Sequence, residues 1–351
     1  MLATVAHILP LTTIHRERML PVGGRVVVRR GQEVVPKDVV AEAVLAPKHL
    51  ILDIARGLDV PVERTDSLIE RSAGQVVSEG DIIAGPVGLT RRVVRAPAPG
   101  RIVLVGDGQV LIELDSTPFE LRAGFAGTVV ELIAGRGVVI EATGALIQGV
   151  WGNNRMDFGL IQVNLQDPAD ELTLDQVDVS LRGAIVVGGY CRDADVLQAA
   201  ADIPLRGLVL SAMSASILPV AKRMRFPIFI LEGFGRRPMN SVAYNLLTTN
   251  LNREISINAE SYDPFKGTRP EILIPLPASS SVKKPVMSSD FSPGQQVRIV
   301  QSTHAAKIAT LESISTKPMV FPSGLKAISA EVVMEDGDHV MIPLENLEVI
   351  A

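Results

Sequence analysis

Up to about residue 160, no β-branched run in this chain lasts long: each is stopped within a few residues by glycine or proline. Residues 25–28 (RVVV), 75–77, 82–84, 101–105, 110–114, 128–133 and 138–141 all have this form. Runs of that length suit strands and are short for packed helices. The glycines and prolines between them suit tight corners. An all-β architecture is therefore predicted for residues 1–165. One helix is expected inside it, over residues 47–58 (PKHLILDIARGL). There Leu50, Ile51, Ile54 and Leu58 recur at helical spacing and Gly57 stands near the end.

Two echoes run through this region. Arg95-Ala-Pro-Ala-Pro-Gly100-Arg-Ile-Val is matched by Arg122-Ala-Gly-Phe-Ala-Gly127-Thr-Val-Val, so R-A-x-x-x-G-x-(I/V)-V recurs at positions 95 and 122. Arg30-Gly31-Gln32-x-Val34 is matched in the same manner by Glu79-Gly80-Asp81-x-Ile83. In both, a glycine-centred turn leads into a strand. Either hairpins reuse one turn chemistry or the region is an internal duplication.

The character changes after about Asp167. Residues 183–188 (GAIVVG), 207–210, 226–231 (FPIFIL) and 254–258 read as strands. Residues 193–201, 214–223 and 238–248 read as helices, with Asp193 placed as a cap. Near-continuous apolar strands separated by short helices predict a small parallel α/β domain over residues 166–277. Residues 278–290 (ASSSVKKPVMSSD) are polar and Ser-rich, the composition of a flexible linker. Residues 291–351 are β-rich again, with strands expected at 296–300, 309–314, 327–334, 339–343 and 347–350. Asp336-Gly337 is a hairpin signal between two of them.

Composition supports this multidomain β plus α/β reading. Of 351 residues, 47% are hydrophobic and 21% charged, enough to build sizeable cores. A single cysteine, Cys191, excludes a disulfide scaffold and a cysteine-based zinc site. No stretch of 18 apolar residues occurs, so no membrane span is expected. The start of the chain lacks a basic segment before its apolar stretch, and Pro10 interrupts that stretch, so no signal peptide is read. A cytoplasmic protein is the expectation.

Two segments carry resemblances. Val76-Val-Ser-Glu-Gly80-Asp-Ile-Ile-Ala84, followed by Arg95-Ala-Pro-Ala-Pro-Gly100, makes residues 74–115 resemble half of a biotinyl/lipoyl-type barrel-sandwich hybrid. Carrier domains of that family hold a modified lysine seven residues before the Ala-Pro. That position is Leu89 here, so the resemblance implies the fold without the swinging arm. Gly294-Gln-Gln-Val-Arg298-Ile-Val and the ending Val340-Met-Ile-Pro-Leu-Glu-Asn346-Leu-Glu-Val-Ile350 make residues 294–350 resemble a KOW/SH3-like β-barrel. Alanines stand at 305 and 306, where the family's motif carries glycine. From 291 to 351 there are four basic and seven acidic residues and only two aromatics, Phe291 and Phe321. Single-stranded RNA binding calls for a basic groove and stacking platforms. Protein contact is therefore favoured over nucleic acid for this module.

No catalytic signature is found. None of the five histidines falls in the α/β segment, and there is no nucleophile elbow, P-loop or HExxH. No cofactor and no metal are expected. Cys191 follows a strand and reads as a buried residue. Trp151, between glycines at 149 and 152, reads as an anchor at the junction of the β region and the α/β domain. In open parallel sheets ligands bind beyond the carboxyl ends of the strands. The residues expected at that edge are Gly188, Gly189, Asp193, Ser211, Ser214, Glu232, Gly233, Gly235, Arg236 and Arg237. Glycines admit a ligand to the backbone and the arginines favour an anion, so a small anionic ligand is the candidate there. The same glycines also serve as short turns, and the arginines also serve as partners for Asp193 or Glu232. The expected role is a non-catalytic scaffold or interaction protein with a protein partner or self-assembly. A transcription- or translation-associated factor and an enzyme using the strand ends are the alternatives.

Overall fold

The computed structural model describes residues 2, 3, 5–115, 117–263, 267–277 and 289–350. It mixes several β-sheets with a few short helices. The largest sheet has eleven strands and draws them from both sides of residue 165. Met156–Val163, Ala184–Cys191, Gly207–Met213 and Ile228–Phe234 are its parallel neighbours. Val187, Val209, Phe229 and Leu231 pack to one side, with Ala243 and Leu247 of the helix Ser241–Thr248. Val186, Leu208, Leu210 and Ile230 pack to the other, with Val196, Leu197 and Ala200 of the helix Ala194–Asp202. Burial on both faces is why these strands read as unbroken apolar runs.

Three sequence expectations are corrected in this region. The strand Glu254–Asn258 is not parallel: it runs antiparallel to Met156–Val163, which is the missing parallel strand. That strand escaped notice because its residues, MDFGLIQV, are mostly half-buried and mix polar with apolar. The helix expected over 214–223 shrinks to a 3-10 turn, Ala215–Ile217, and one α-turn, Leu218–Ala221. The helix expected from 238 starts at Ser241, where the Asn240 side chain caps it by accepting the Ala243 N–H at 2.9 Å. Among the described residues, no helix is long and apolar enough to cross a membrane.

Upstream, the echoes resolve into two copies of one β unit. In the first, Ile8–Met19, Gly137–Gln148, Gly127–Ile133 and Glu33–Val34 lie side by side. In the second, Lys48–Asp53, Gln109–Leu114, Gly100–Gly106 and Val76–Val77 repeat that order, again antiparallel. The paired strands Val39–Ala43 and Phe119–Arg122 of the first correspond to Ile82–Val87 and Arg92–Arg95 of the second. The second unit is inserted into the first between Ala43 and Phe119. It enters where its own equivalent strands are joined by the short turn around Leu89, a residue fully exposed at the tip.

One turn pins both copies. The Gly31 N–H donates to the Val129 carbonyl, and the Val129 N–H to the Gln32 carbonyl. Gly74, Ile102 and Gln75 repeat the pattern. Gly294, Leu311 and Gln295 form it a third time in the C-terminal sheet. In each, the glutamine Oε1 accepts from the backbone N–H three residues earlier: Arg29 at 3.0 Å, Ser72 at 3.0 Å and Ser292 at 2.8 Å. The three glycines have φ of +82°, +90° and +88°, a region costly to residues with a Cβ. The 95/122 echo is therefore a true equivalence: Gly100 pairs with Val77 as Gly127 pairs with Val34. The other echo is corrected, because the counterpart of Gly31 is Gly74 and not Gly80. Gly80 also has a positive φ and precedes a strand, so only the partner strand separates the two.

The helix expected over 47–58 is also corrected. Residues Lys48–Asp53 form a strand paired with Gln109–Leu114, and only Ile54–Leu58 is helical. Asp53 marks the start by accepting the Arg56 N–H at 2.9 Å. Leu50 and Leu52 alternate with exposed His49 and Ile51, so pairing with a neighbouring strand overrides the helical spacing.

The C-terminal sheet has six strands: Val5–Ala6, Leu347–Ile350, Gln296–Ile299, Ile308–Ile314, Ser329–Met334 and His339–Pro343. The last five match the strands expected from sequence. The contribution of Val5–Ala6, parallel to Val349 and Ile350, was not expected. Gly337, at φ +89°, closes the expected hairpin. Ala306 adopts φ +70° with no glycine to ease it. Of the expected linker, residues 278–288 lie outside the described residues. Ser289–Asp290 pairs antiparallel with Leu2–Ala3.

Candidate functional site at the carboxyl edge of the parallel strands

Eight of the ten residues expected at this edge fall into three groups, and Asp193 and Arg236 stand apart from them at the surface. Gly188 and Gly189, expected just after the first strand, lie inside the strand Ala184–Cys191 and are covered by the chain's own segment 170–172. A Cβ on Gly189 would press into the Asp170 carbonyl, and one on Gly188 would touch Leu172. The Tyr190 N–H donates to the Asp170 carbonyl and the Leu172 N–H to the Tyr190 carbonyl, both at 2.8 Å. A second group makes local structure. Ser214 caps the 3-10 turn, the buried Ser211 hydroxyl donates to the Arg237 carbonyl at 3.0 Å, and Gly233 and Gly235 take positive φ. Asp193 and Arg236 are exposed, and Asp193 stands before its helix without a side-chain cap bond.

The third group, Glu232 and Arg237, faces the C-terminal sheet. The Glu232 carboxylate is buried, accepting from the Asn240 backbone N–H at 3.2 Å and its side-chain amide at 2.6 Å. Its other oxygen lies 3.4 Å from Nη1 of Arg298, a residue 2% exposed on the strand Gln296–Ile299. Arg298 Nη1 also donates to the Leu231 carbonyl at 3.1 Å, and Nη2 forms a short bond to Glu348 on the facing strand. Glu348 takes a second arginine, Arg269, at 2.5 Å, and Arg269 lies 4.5 Å from the Tyr262 ring. Arg237 Nη1 donates to the Glu232 carbonyl at 3.2 Å and to the Val300 carbonyl at 2.9 Å. The carboxyl end of Ile228–Phe234 is thus filled by groups from residues 298–300.

The electrostatics of the cluster are asymmetric. Burial pushes the Glu232 carboxyl up, a rise that Arg298 and the Asn240 bonds reduce without cancelling. Burial also works against Glu348, but Arg298 and Arg269 outweigh it and hold that carboxyl below its ordinary value. Burial opposes the charge on Arg298, and Glu232 with Glu348 more than restores it. A buried charge left without its partner costs several kcal/mol, and Glu348, shared by Arg298 and Arg269, is the group whose loss would strand the most charge.

Arg298, Glu348 and Arg269 were missed from sequence. A signal existed: Arg298 and Glu348 each interrupt an apolar strand run (QVRIV, NLEVI) and pair directly across the sheet. Burial holds the Cys191 thiol up at about 12, which suits a packed residue and not a nucleophile. Trp151 sits edge-on to Phe234, centroids 6.1 Å apart, on a two-residue strand at the border of the large sheet. A separate group, Glu312, Glu331 and His339, brings three donor atoms within 4.8 Å of one another on adjacent strands of the C-terminal sheet. His339 Nδ1 is 2.9 Å from Glu312 and 3.3 Å from Glu331. These donor types suit a divalent metal ion, and their openness to solvent suits an ordinary surface ion pair equally. No protein-family model matches the chain, and no curated protein matches it.

Proposed function

We propose that the chain is a non-catalytic scaffold or interaction protein. The observation that supports this is the occupant of the parallel strands' carboxyl ends. Where a doubly wound sheet would receive a ligand, Arg298 sits on Glu232 and Arg237 reaches Val300. The charges that could greet an anion hold two sheets together instead. We read the inserted unit as barrel-sandwich-hybrid-like and the C-terminal sheet as KOW/SH3-like, both in a binding role. Leu89 at the tip of the inserted unit suits contact with another surface and not a covalent cofactor. The seven acidic against four basic residues of the C-terminal module favour a protein partner over nucleic acid.

The test is a thermal-shift screen of anionic metabolites at millimolar concentration, on the full chain and on Arg236→Ala. Arg236 is the exposed cation of the edge, and its removal leaves the buried cluster untouched. No ligand-dependent shift is expected in either protein. A reproducible shift in the full chain that disappears in Arg236→Ala overturns the reading and makes the edge a ligand site.

A further inference from the structure

The two β units share a backbone and differ on their outward face. At three equivalent outward positions the first unit carries Glu17, Glu33 and Glu131, and the inserted unit carries Ile51, Val76 and Leu104. Register fixes the equivalence. Ile51 and Leu104 flank Leu111 as Glu17 and Glu131 flank Val139, and Val76 faces Arg101 as Glu33 faces Thr128. Both copies even share the irregularity before the third position, between Ile102 and Leu104 and between Val129 and Glu131. Ile51, Val76 and Leu104 are 62%, 67% and 64% exposed. The first unit forms the same strand pairings with glutamate at these points, so the fold does not require apolar side chains there. Exposed apolar residues on a face whose sister is charged mark a contact surface.

The charges around this stripe select its occupant. Arg101 and Asp53 lie on opposite sides of Leu111, each one strand away and displaced by the same two residues in opposite directions. Both are exposed, and Arg101 makes no ion pair among the described residues. A two-fold axis lying in the plane of contact, through Leu111 and across the line joining the two charges, sets Leu111 against its own copy. The same axis places Arg101 of each copy opposite Asp53 of the other, as an isologous interface requires.

We propose that the Ile51–Leu111–Leu104 stripe is the self-association face of this chain and that its occupant is a second copy. The inference rests on the scaffold reading and names the surface through which it acts. Light scattering on size-exclusion eluates, from low to high micromolar protein, is expected to show a reversible dimer for the full chain. The variant Ile51→Glu/Val76→Glu/Leu104→Glu, which copies the sister unit's surface, is expected to stay monomeric with unchanged circular dichroism. Arg101→Asp sets like charges together twice and is expected to weaken the dimer by about tenfold or more. Because Cys191 is buried, Leu111→Cys supplies the one reactive thiol and is expected to cross-link to itself with a short bis-maleimide. Leu132→Cys on the first unit is not. A monomer at every concentration overturns the proposal. So does a dimer unchanged in the triple variant, or a monomer whose face captures a different protein. None of these results bears on the metabolite screen, so failure of the face and failure of the scaffold reading are distinguishable.

Discussion

The molecule makes its joins in two ways. The β units are pinned by glycine-glutamine turns whose bonds run between backbone groups, with the glutamine closing the turn on residues three positions back. The junction between the parallel strands and the C-terminal sheet is pinned by buried charge, Glu232 and Glu348 around Arg298. The turn itself is a four-residue unit that occurs three times among the described residues, and it pins strands as distant in the chain as Gly31 and Val129. The charge cluster has no such unit: its four charged groups come one each from positions 232, 269, 298 and 348. A join built on a self-contained turn survives duplication and insertion, since Gly31 still meets Val129 across the inserted unit and Gly74 repeats the bond within it. A join of buried charges is weakened most when a shared partner such as Glu348 is lost, because Arg298 and Arg269 would remain desolvated.

Removing a charge should separate the two kinds of join most sharply. Glu348→Ala leaves Arg298 and Arg269 without their shared carboxylate and is expected to cost about 3–5 kcal/mol in urea unfolding. Glu232→Gln keeps a hydrogen-bonding side chain beside Asn240 and removes a charge that burial disfavours. It is expected to cost about 1 kcal/mol or less. Equal losses for the two would break the asymmetry argued for the cluster.

Acid titration should show the same asymmetry with opposite signs. The Glu348 carboxyl is depressed on folding, so its stabilisation is present above its unfolded value near 4.5 and lost as pH falls through the folded value. The Glu232 carboxyl is raised, so its contribution is present below 4.5 and lost as pH rises through the folded value. Glu348→Gln is expected to flatten the acid limb of stability against pH, and Glu232→Gln to remove a decline above pH 4.5. Denaturant midpoints between pH 3 and 7 measure both.

The turns should respond in matched pairs. Gly31→Ala and Gly74→Ala each force a Cβ into the left-handed region and are expected to cost about 1–2 kcal/mol, with nearly equal losses. Space is not the issue, since neither position has an atom within 4 Å of the added carbon. Unequal losses would count against the equivalence of the two units. The smallest effects are expected for Gln32→Ala, Gln75→Ala and Gln295→Ala, about 0.5–1 kcal/mol each. They should be seen as faster hydrogen exchange at the Arg29, Ser72 and Ser292 amides respectively, each of which loses its side-chain acceptor, and not at the other two.

The parallel strands were legible because they are buried on both faces, which writes an apolar run into the sequence whatever the partners are. Met156–Val163 was not, because half-burial leaves Asp157 and Gln162 in view. Gly235 follows its strand with the positive φ expected of a turn glycine, whereas Gly188 and Gly189 lie within the strand Ala184–Cys191. Their burial under segment 170–172, and the pairing of Glu232 with Arg298, were not legible. Nothing in the local sequence around position 232 names a residue at 298.

By itself the sequence determined the strand-rich character, the turn glycines, the 95/122 echo and the five C-terminal strands. Each follows from backbone conformational preference or from side-chain periodicity, and both act over a few residues. Only the tertiary structure decided that Gly31 answers to Gly74, that Val5–Ala6 joins the last strand, and that Glu232 faces Arg298. Those are matters of which surfaces meet, and burying a charge or pairing a strand edge is settled by groups brought together from distant parts of the chain.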